Sequence, residues 1–186
     1  VGKNKNEKTY SKIYTKVGDA GYSKNFNGVN IPKGHEDLEL LGQIDEIQVS
    51  IDLVRHIFKR EYMTGFSQND TLEEYELIEE IQKHLWDLAG RISGMQATTL
   101  YDIKESSIID LEEYIDSCEI DLYSFVRFGD ELAIAINEAR VRVRRFERTM
   151  FNRFAAPWRT AVVCKYINRL GDFLFALSYV LERNDT

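Results

Sequence analysis

The segment Arg140-Val-Arg-Val-Arg-Arg-Phe-Glu-Arg148 packs five arginines and one glutamate into nine residues. At helical spacing Arg140, Arg144, Glu147 and Arg148 fall at i, i+4, i+7 and i+8 and share one face. Asn168 and Asp172 repeat the four-residue step one helix later. Guanidinium forks, a carboxylate and an amide on neighbouring faces suit a polyphosphate and its metal ion, because the fork matches phosphate oxygens two at a time. The competing reading of the same residues is an ion-paired surface helix. Two features favour the ligand-binding reading: the arginines stack on one side with Glu147 among them as a built-in partner, and Phe173, Leu174 and Phe175 set Asn168 and Asp172 beside apolar surface. Arg142 and Arg145 point elsewhere, toward solvent or a neighbouring subunit.

Near the start of the chain, Ile13-Tyr-Thr-Lys-Val-Gly18-Asp-Ala-Gly21-Tyr-Ser23-Lys24 mixes glycines, hydroxyls and lysines. Glycines let successive backbone N–H groups turn toward an anion and the lysines add charge, so a phosphate nest is chemically reasonable. The GxxxxGK[ST] spacing of a P-loop is absent, and a turn-rich segment without a ligand is the plain alternative. Asp45-Glu46 interrupts an apolar stripe of Leu41, Ile44 and Ile47. A carboxylate buried there needs a cationic partner, and Arg140 or Arg144 would serve. Phe125, shortly before Gly129, reads by default as core packing. No nucleophile is legible: there is no GxSxG, and neither Cys118 nor Cys164 pairs with a histidine at a recognisable spacing.

A net charge of −7 argues against a general nucleic-acid binder, since that affinity comes mainly from neutralised phosphates. The arginine cluster is a local feature of an acidic chain. His35, His56 and His84 lack HExxH or other ligand spacing. Two cysteines without a framework read as reduced thiols. No apolar run approaches the roughly 18 residues that would span a bilayer. The chain starts at Val1 rather than a methionine, which leaves room for a removed upstream segment.

The elements that must hold these residues follow from periodicity. Residues 1–34, with five glycines, read as loop. A three-and-four spacing of Leu41, Ile44, Ile47, Ile51, Val54 and Phe58 predicts a helix over 36–60. Gly65, Asn69 and Asp70 break it. A second helix runs from Thr71 to about Ser93, with Glu73, Glu74, Glu76 and Glu80 as its solvated face. A third covers 107–117. Asp130 is placed to cap a fourth helix to about Phe154, with Leu132, Ile136, Ala139, Val143, Phe146 and Met150 inward. Pro157 suits the first turn of a fifth helix reaching about Glu182. No stretch shows sustained β alternation, so the expectation is all-α: a single domain in which a loop (1–34) precedes a five-helix up-and-down bundle (35–186).

In order along the chain, IYTKVGDAGYSKNFNG, Pro32-Lys33, Glu39-Leu-Leu-Gly42-Gln-Ile-Asp45-Glu46, Ile81-Gln-Lys-His-Leu-Trp-Asp-Leu88, ARVRVRRFER and NRLGDFLF resemble the PduO-type ATP:cob(I)alamin adenosyltransferases. The ordered set spans roughly residues 12–180. The GYS form with a following Phe looks more like the mitochondrial branch of that family, which would put a eukaryotic protein in the mitochondrial matrix and a bacterial one in the cytoplasm. The resemblance implies a homotrimer with ATP held between subunits and Mg²⁺ on the triphosphate, near Glu147. ATP contacts would fall to Thr15, Lys16, Val17, Gly18, Ser23, Lys24 and Lys33 of the loop, to Arg144, Arg145, Phe146, Glu147 and Arg148, and to Asn168. It further implies an inter-subunit Asp45–Arg140 pair, and places Phe125 and Asp172 beside the corrinoid, Phe125 displacing its lower axial ligand. The reaction implied is attack of cobalamin Co(I) on C5′ of ATP, with the product passing to an adenosylcobalamin-dependent enzyme.

The chain departs from the family pattern where Ala20 stands for the lysine of GDKG and Val17 for a threonine. The connector usually written FxLPGG reads Phe125-Val-Arg-Phe-Gly129-Asp130 here, so that Arg127 and Asp130 alter the charge where the corrinoid would dock. These changes keep open a second reading, a non-catalytic descendant that binds ATP or corrinoid as carrier or regulator. A ligand-free helical scaffold is the third, and it leaves the arginine face unexplained.

Overall fold

A computed structural model describes residues 14, 16–62, 72–95, 102–121, 125–154 and 161–184. The break at Gly65, Asn69 and Asp70, the helix-starting Pro157 and the loop residue Thr15 lie outside them. Five helices follow one another: α1 Glu36–Tyr62, α2 Glu73–Ile92, α3 Glu105–Ser117, α4 Glu131–Arg153 and α5 Val162–Asn184. Side-chain contacts fix their directions. Arg153 meets Asp37 at 2.9 Å and Arg60 meets Glu131 at 2.8 Å, so α4 runs antiparallel to α1. Gln82 of α2 bonds Gln48 of α1 while Arg55 bonds Tyr75, which reverses α2 against α1. Lys165 reaches Glu105 and Phe173 packs on Tyr114, so α3 and α5 run parallel.

The inward stripe read from the sequence of α4 is buried in full: Leu132, Ile136, Ala139, Val143, Phe146 and Met150 all lie in the core. On α1 the stripe shifts slightly, with Leu40 buried and Leu41 only half-buried. Burying a large aliphatic or aromatic side chain contributes roughly 1.5–3 kcal/mol, against roughly 0–1 kcal/mol for an exposed ion pair. The apolar side therefore fixes α4, and its polar side is left available for other work. Asp130 caps the helix as expected, its carboxylate accepting from the Ala133 N–H at 2.6 Å. Where α2, α3 and α5 meet, His84 bonds the Tyr166 hydroxyl at 3.0 Å and lies 3.4 Å from Ser107 Oγ. Burial pushes the His84 pKa below its ordinary value and the Tyr166 phenol above its own. This polar tie keeps the core satisfied where three helices converge.

The all-α expectation needs one correction. Residues read as loop contain a one-turn 3₁₀ helix, Val17–Ala20, and an antiparallel hairpin of β1 Tyr22–Lys24 and β2 Asn30–Pro32, with Ser23 opposite Ile31. Three-residue strands are too short to show a period of two. The usable signal was the Asn27-Gly28 dipeptide: Gly28 takes φ 76°, and the Asn25 side chain accepts from the Val29 N–H at 2.8 Å. The hairpin is pinned beyond the end of α2, where the Phe26 N–H bonds the Ser93 carbonyl and the Asn27 amide bonds the Gly94 carbonyl, both at 2.9 Å. Among the described residues no helix is long and apolar enough to cross a membrane.

Candidate functional site

The α4–α5 seam gathers the polar residues singled out above. Asn168 of α5 donates to the Glu147 carboxylate of α4 at 2.9 Å. Arg140 donates to Asn137 at 3.1 Å and lies over the Phe175 ring at 5.2 Å. Burial lowers its pKa, the neighbouring charge of Arg144 lowers it further, and Asp172 acts in the opposite sense. The Arg144 stem runs over Gly171, where a Cβ would come 3.7 Å from Arg144 Cγ. Arg144 and Arg148 are exposed, and among the described residues neither has a hydrogen bond or ion pair. The built-in partnership of Glu147 with the arginines is therefore corrected: Glu147 is held by Asn168, and two guanidinium groups remain open to an anion. Spacing within one helix cannot show the partner supplied by the next helix. Asp172 is taken by Arg169 at 2.8 Å, which also bonds Glu112 of α3.

The opposite flank of α4 faces α1. Arg145 pairs with Glu39 at 2.9 Å and Glu46 at 3.5 Å, and Arg142 pairs with Glu138 at 2.7 Å and Glu46 at 3.5 Å. Glu46 thus finds cations, although Arg142 and Arg145 rather than the expected Arg140 or Arg144. Asp45, one residue and about 100° further round the helix, is exposed rather than buried. It lines a groove of about 280 Å³ between α1 and α2 with Leu41, Gln48 and Trp86. Among the described residues it has no ion pair. Phe146 is 0% exposed, so its contribution within the chain is packing.

In the N-terminal segment Lys16 has φ 62° and Gly21 φ 83°, flanking the 3₁₀ turn. The Lys33 N–H bonds the Gly21 carbonyl at 2.9 Å, and its ammonium folds over Gly18, where a Cβ would sit 3.3 Å from Nζ. Gly18 and Lys33 are thereby brought together with Lys16 at one turn. Ser23 and Lys24 stand on β1, half-buried and exposed respectively. Among the described residues no hydrogen bond or ion pair joins this turn to the α4–α5 seam.

Phe125 is 104% exposed, which rules out core packing. The connector that carries it is held at its far end. Phe128 meets the Phe175 ring edge-on at 6.3 Å, and the Gly129 and Asp130 N–H groups bond the Glu182 carboxylate of α5 at 2.9–3.0 Å. The carboxylate of Asp130 is engaged as the α4 cap and Arg127 is exposed. Glu182 escaped the sequence reading because nothing local marks a residue that acts across 52 positions. Among the described residues no cluster of three His, Cys, Asp or Glu side chains forms a metal site. A single carboxylate such as Glu147, with one oxygen held by Asn168, suits Mg²⁺ only in company with phosphate oxygens, which is the usual way that ion is bound.

Fold and seam together define a mostly helical, five-helix protein with a small N-terminal hairpin, whose α4–α5 seam exposes Arg144 and Arg148 beside the Glu147–Asn168 bond. A model of the cobalamin adenosyltransferase family matches residues 13–181, and the chain belongs to that family. It is 31% identical over 177 residues to the human corrinoid adenosyltransferase MMAB, covering 90% of this chain and 67% of that protein. The corrinoid adenosyltransferase of Bacillus subtilis is 29% identical over 175 residues, with 92% and 86% covered. A variant PduO-type ATP:corrinoid adenosyltransferase from Lactobacillus reuteri, solved in complex with cobalamin and ATP, superposes with a TM-score of 0.71 at 25% identity. That match covers 94% of this chain and 92% of the other.

Proposed function

We propose that the chain is an ATP:cob(I)alamin adenosyltransferase, moving the 5′-deoxyadenosyl group of ATP to the Co(I) centre of a corrinoid. The Co–C5′ bond forms as the C5′–O bond breaks, and the electron pair of that bond leaves on triphosphate. The observation that carries this reading is the pair of open guanidinium groups, Arg144 and Arg148, beside the Glu147–Asn168 bond in a chain of this family. The nucleophile belongs to the corrinoid, so the protein's task is position and charge. Arg144 and Arg148 would meet the departing triphosphate, and Arg140 would add charge behind them. Asn168 holds Glu147 oriented, and Mg²⁺, when carried on the triphosphate, would neutralise part of its charge. Lys16, Gly18, Ser23, Lys24 and Lys33 would cradle the phosphates, with Thr15 and the Val17 backbone. Phe125 and Asp172 would face the corrinoid. Arg145, occupied by Glu39 and Glu46, would support the site from behind.

A second reading is favoured by Ala20, which puts an exposed methyl where the family has a lysine. On it, the chain binds nucleotide or corrinoid without turnover. An anaerobic assay with reduced cobalamin and MgATP separates the two. Adenosylcobalamin and triphosphate should appear in equal amounts. MgATP binding without any cobalt–carbon product would sink the catalytic reading, and recovery in an Ala20→Lys, Val17→Thr double variant would identify a decayed catalyst.

A further inference from the structure

We infer that Glu182 is a positioning residue for the corrinoid side of the site, holding the Phe125 connector through its backbone; the inference rests on the adenosyltransferase reading above. Residues 125–129 have no regular secondary structure, so no helical or sheet ladder fixes their course. Phe125, with its side chain wholly exposed, gains no position from packing. What fixes this stretch lies a few residues on. Both oxygens of Glu182 accept from the Gly129 N–H, at 3.0 and 2.9 Å, and one also accepts from the Asp130 N–H at 3.0 Å.

The chemistry of this clasp is specific. N–H groups at the start of a helix lack intrahelical partners and carry partial positive charge. A carboxylate that accepts several of them makes charge-assisted bonds, roughly twice as strong as neutral ones. Asp130 satisfies α4 from within through the Ala133 N–H, while Glu182 engages the N–H groups that precede the helix. The two carboxylates thus divide the donors between them. The approach is close without depending on glycine, since a Cβ at Gly129 would stand 3.4 Å from a Glu182 oxygen, an ordinary van der Waals contact. Phe128 adds an apolar tether on Phe175, the ring that also lies beneath Arg140. Only two residues separate Phe128 from Phe125, so a connector tied at 128–130 restricts the sweep of Phe125 relative to the arginine seam. The chain lacks the proline and second glycine of the family connector, and the Glu182 clasp supplies restraint that a proline ring would otherwise give.

The test compares Glu182→Ala and Glu182→Gln with the wild-type full chain. Without any ligand, amide exchange at Gly129 and Asp130 should quicken at least tenfold in Glu182→Ala, while amides in the middle of α4 keep their protection. In turnover, Glu182→Ala should raise KM for cob(I)alamin or lower kcat about tenfold or more, since small misplacements at a reacting site are costly, and KM for ATP should stay put. Glu182→Gln, which keeps an accepting oxygen, should recover part of the loss. The inference is overturned if mid-α4 amides loosen equally, if both KM values move together, or if turnover is untouched in Glu182→Ala. A wild-type chain that makes no adenosylcobalamin defeats the catalytic reading instead. The exchange experiment then still decides whether Glu182 holds the connector, and unchanged exchange there overturns the clasp.

Discussion

Arg144 sits where it does because the other side of α4 is apolar. Val143, Phe146 and Met150 are buried, and rotation about the helix axis to hide Arg144 would expose them. Its guanidinium is open because Glu147 is taken by Asn168, an arrangement that leaves positive charge facing outward before any ligand arrives. Preorganised charge of this kind stabilises a leaving anion without reorganisation, and losing one such contact typically costs about 2.7–4 kcal/mol, or roughly 100- to 1000-fold in rate. Arg144→Ala is therefore expected to lose turnover by that factor while melting close to the wild type. Arg142→Ala is the matched control: it breaks part-exposed pairs to Glu46 and Glu138, worth roughly 0–1 kcal/mol, on the flank that faces α1. Equal turnover in the two variants, whether both retained or both lost, would refute the assignment. The residue types and their shared face were legible in the sequence, since a four-residue step is a property of one helix. Their partners were not: Glu147 chose an amide on α5, and Glu46 drew Arg142 and Arg145 rather than Arg140 or Arg144.

At the scale of elements, helices were legible wherever apolar spacing persisted for several turns, and the α4 stripe was complete for that reason. The hairpin was hidden by its brevity, and its pinning to Ser93 and Gly94 depends on where α2 ends. That pinning changes what ligand binding has to do. Ordering costs roughly 1–2 kcal/mol per residue in backbone entropy, and bonds already made by the Asn25, Phe26 and Lys33 N–H groups offset part of it. On the proposed function, phosphate would tighten the turn over Lys16–Gly21, whose own backbone bonds, Asp19 N–H to the Lys16 carbonyl and Gly21 N–H to the Gly18 carbonyl, are longer at 3.2 Å. On adding MgATP, exchange should slow at the amides of 17–21 and change little at Asn25, Phe26 and Lys33. Saturating nucleotide with no change over 17–21 would remove the phosphate nest from the site. Slowing spread evenly over the hairpin would show that the α2 anchor is weaker than its hydrogen bonds imply.

For the whole molecule, the proposed pairing of Asp45 with Arg140 requires assembly. Arg140 belongs to the α4–α5 seam, whereas Asp45 lines the α1–α2 groove, and the α1–α4 contact between them is filled by Glu46 with Arg142 and Arg145. A pair between Asp45 and Arg140, if it forms, would thus join two copies. The same outer surfaces carry exposed apolar side chains: Val49 at 68% and Trp86 at 75% on the α1–α2 side, and Ile134 and Val141 on α4. Neighbouring copies that covered them would gain apolar burial while bringing a carboxylate to Arg140, whose charge burial and Arg144 both disfavour. Sedimentation should accordingly give a trimer, and a stable monomer at micromolar concentration would defeat the shared site. Asp45→Asn keeps the shape and removes the charge. Stripping one partner from a pair buried in the assembly costs roughly 3–5 kcal/mol, because the other charge is left uncompensated. The variant should therefore dissociate at concentrations where the wild type is intact, or stay trimeric with ATP affinity reduced. If it assembles and binds ATP as the wild type does, Arg140 draws its counter-charge from elsewhere and Asp45 has no part in the site.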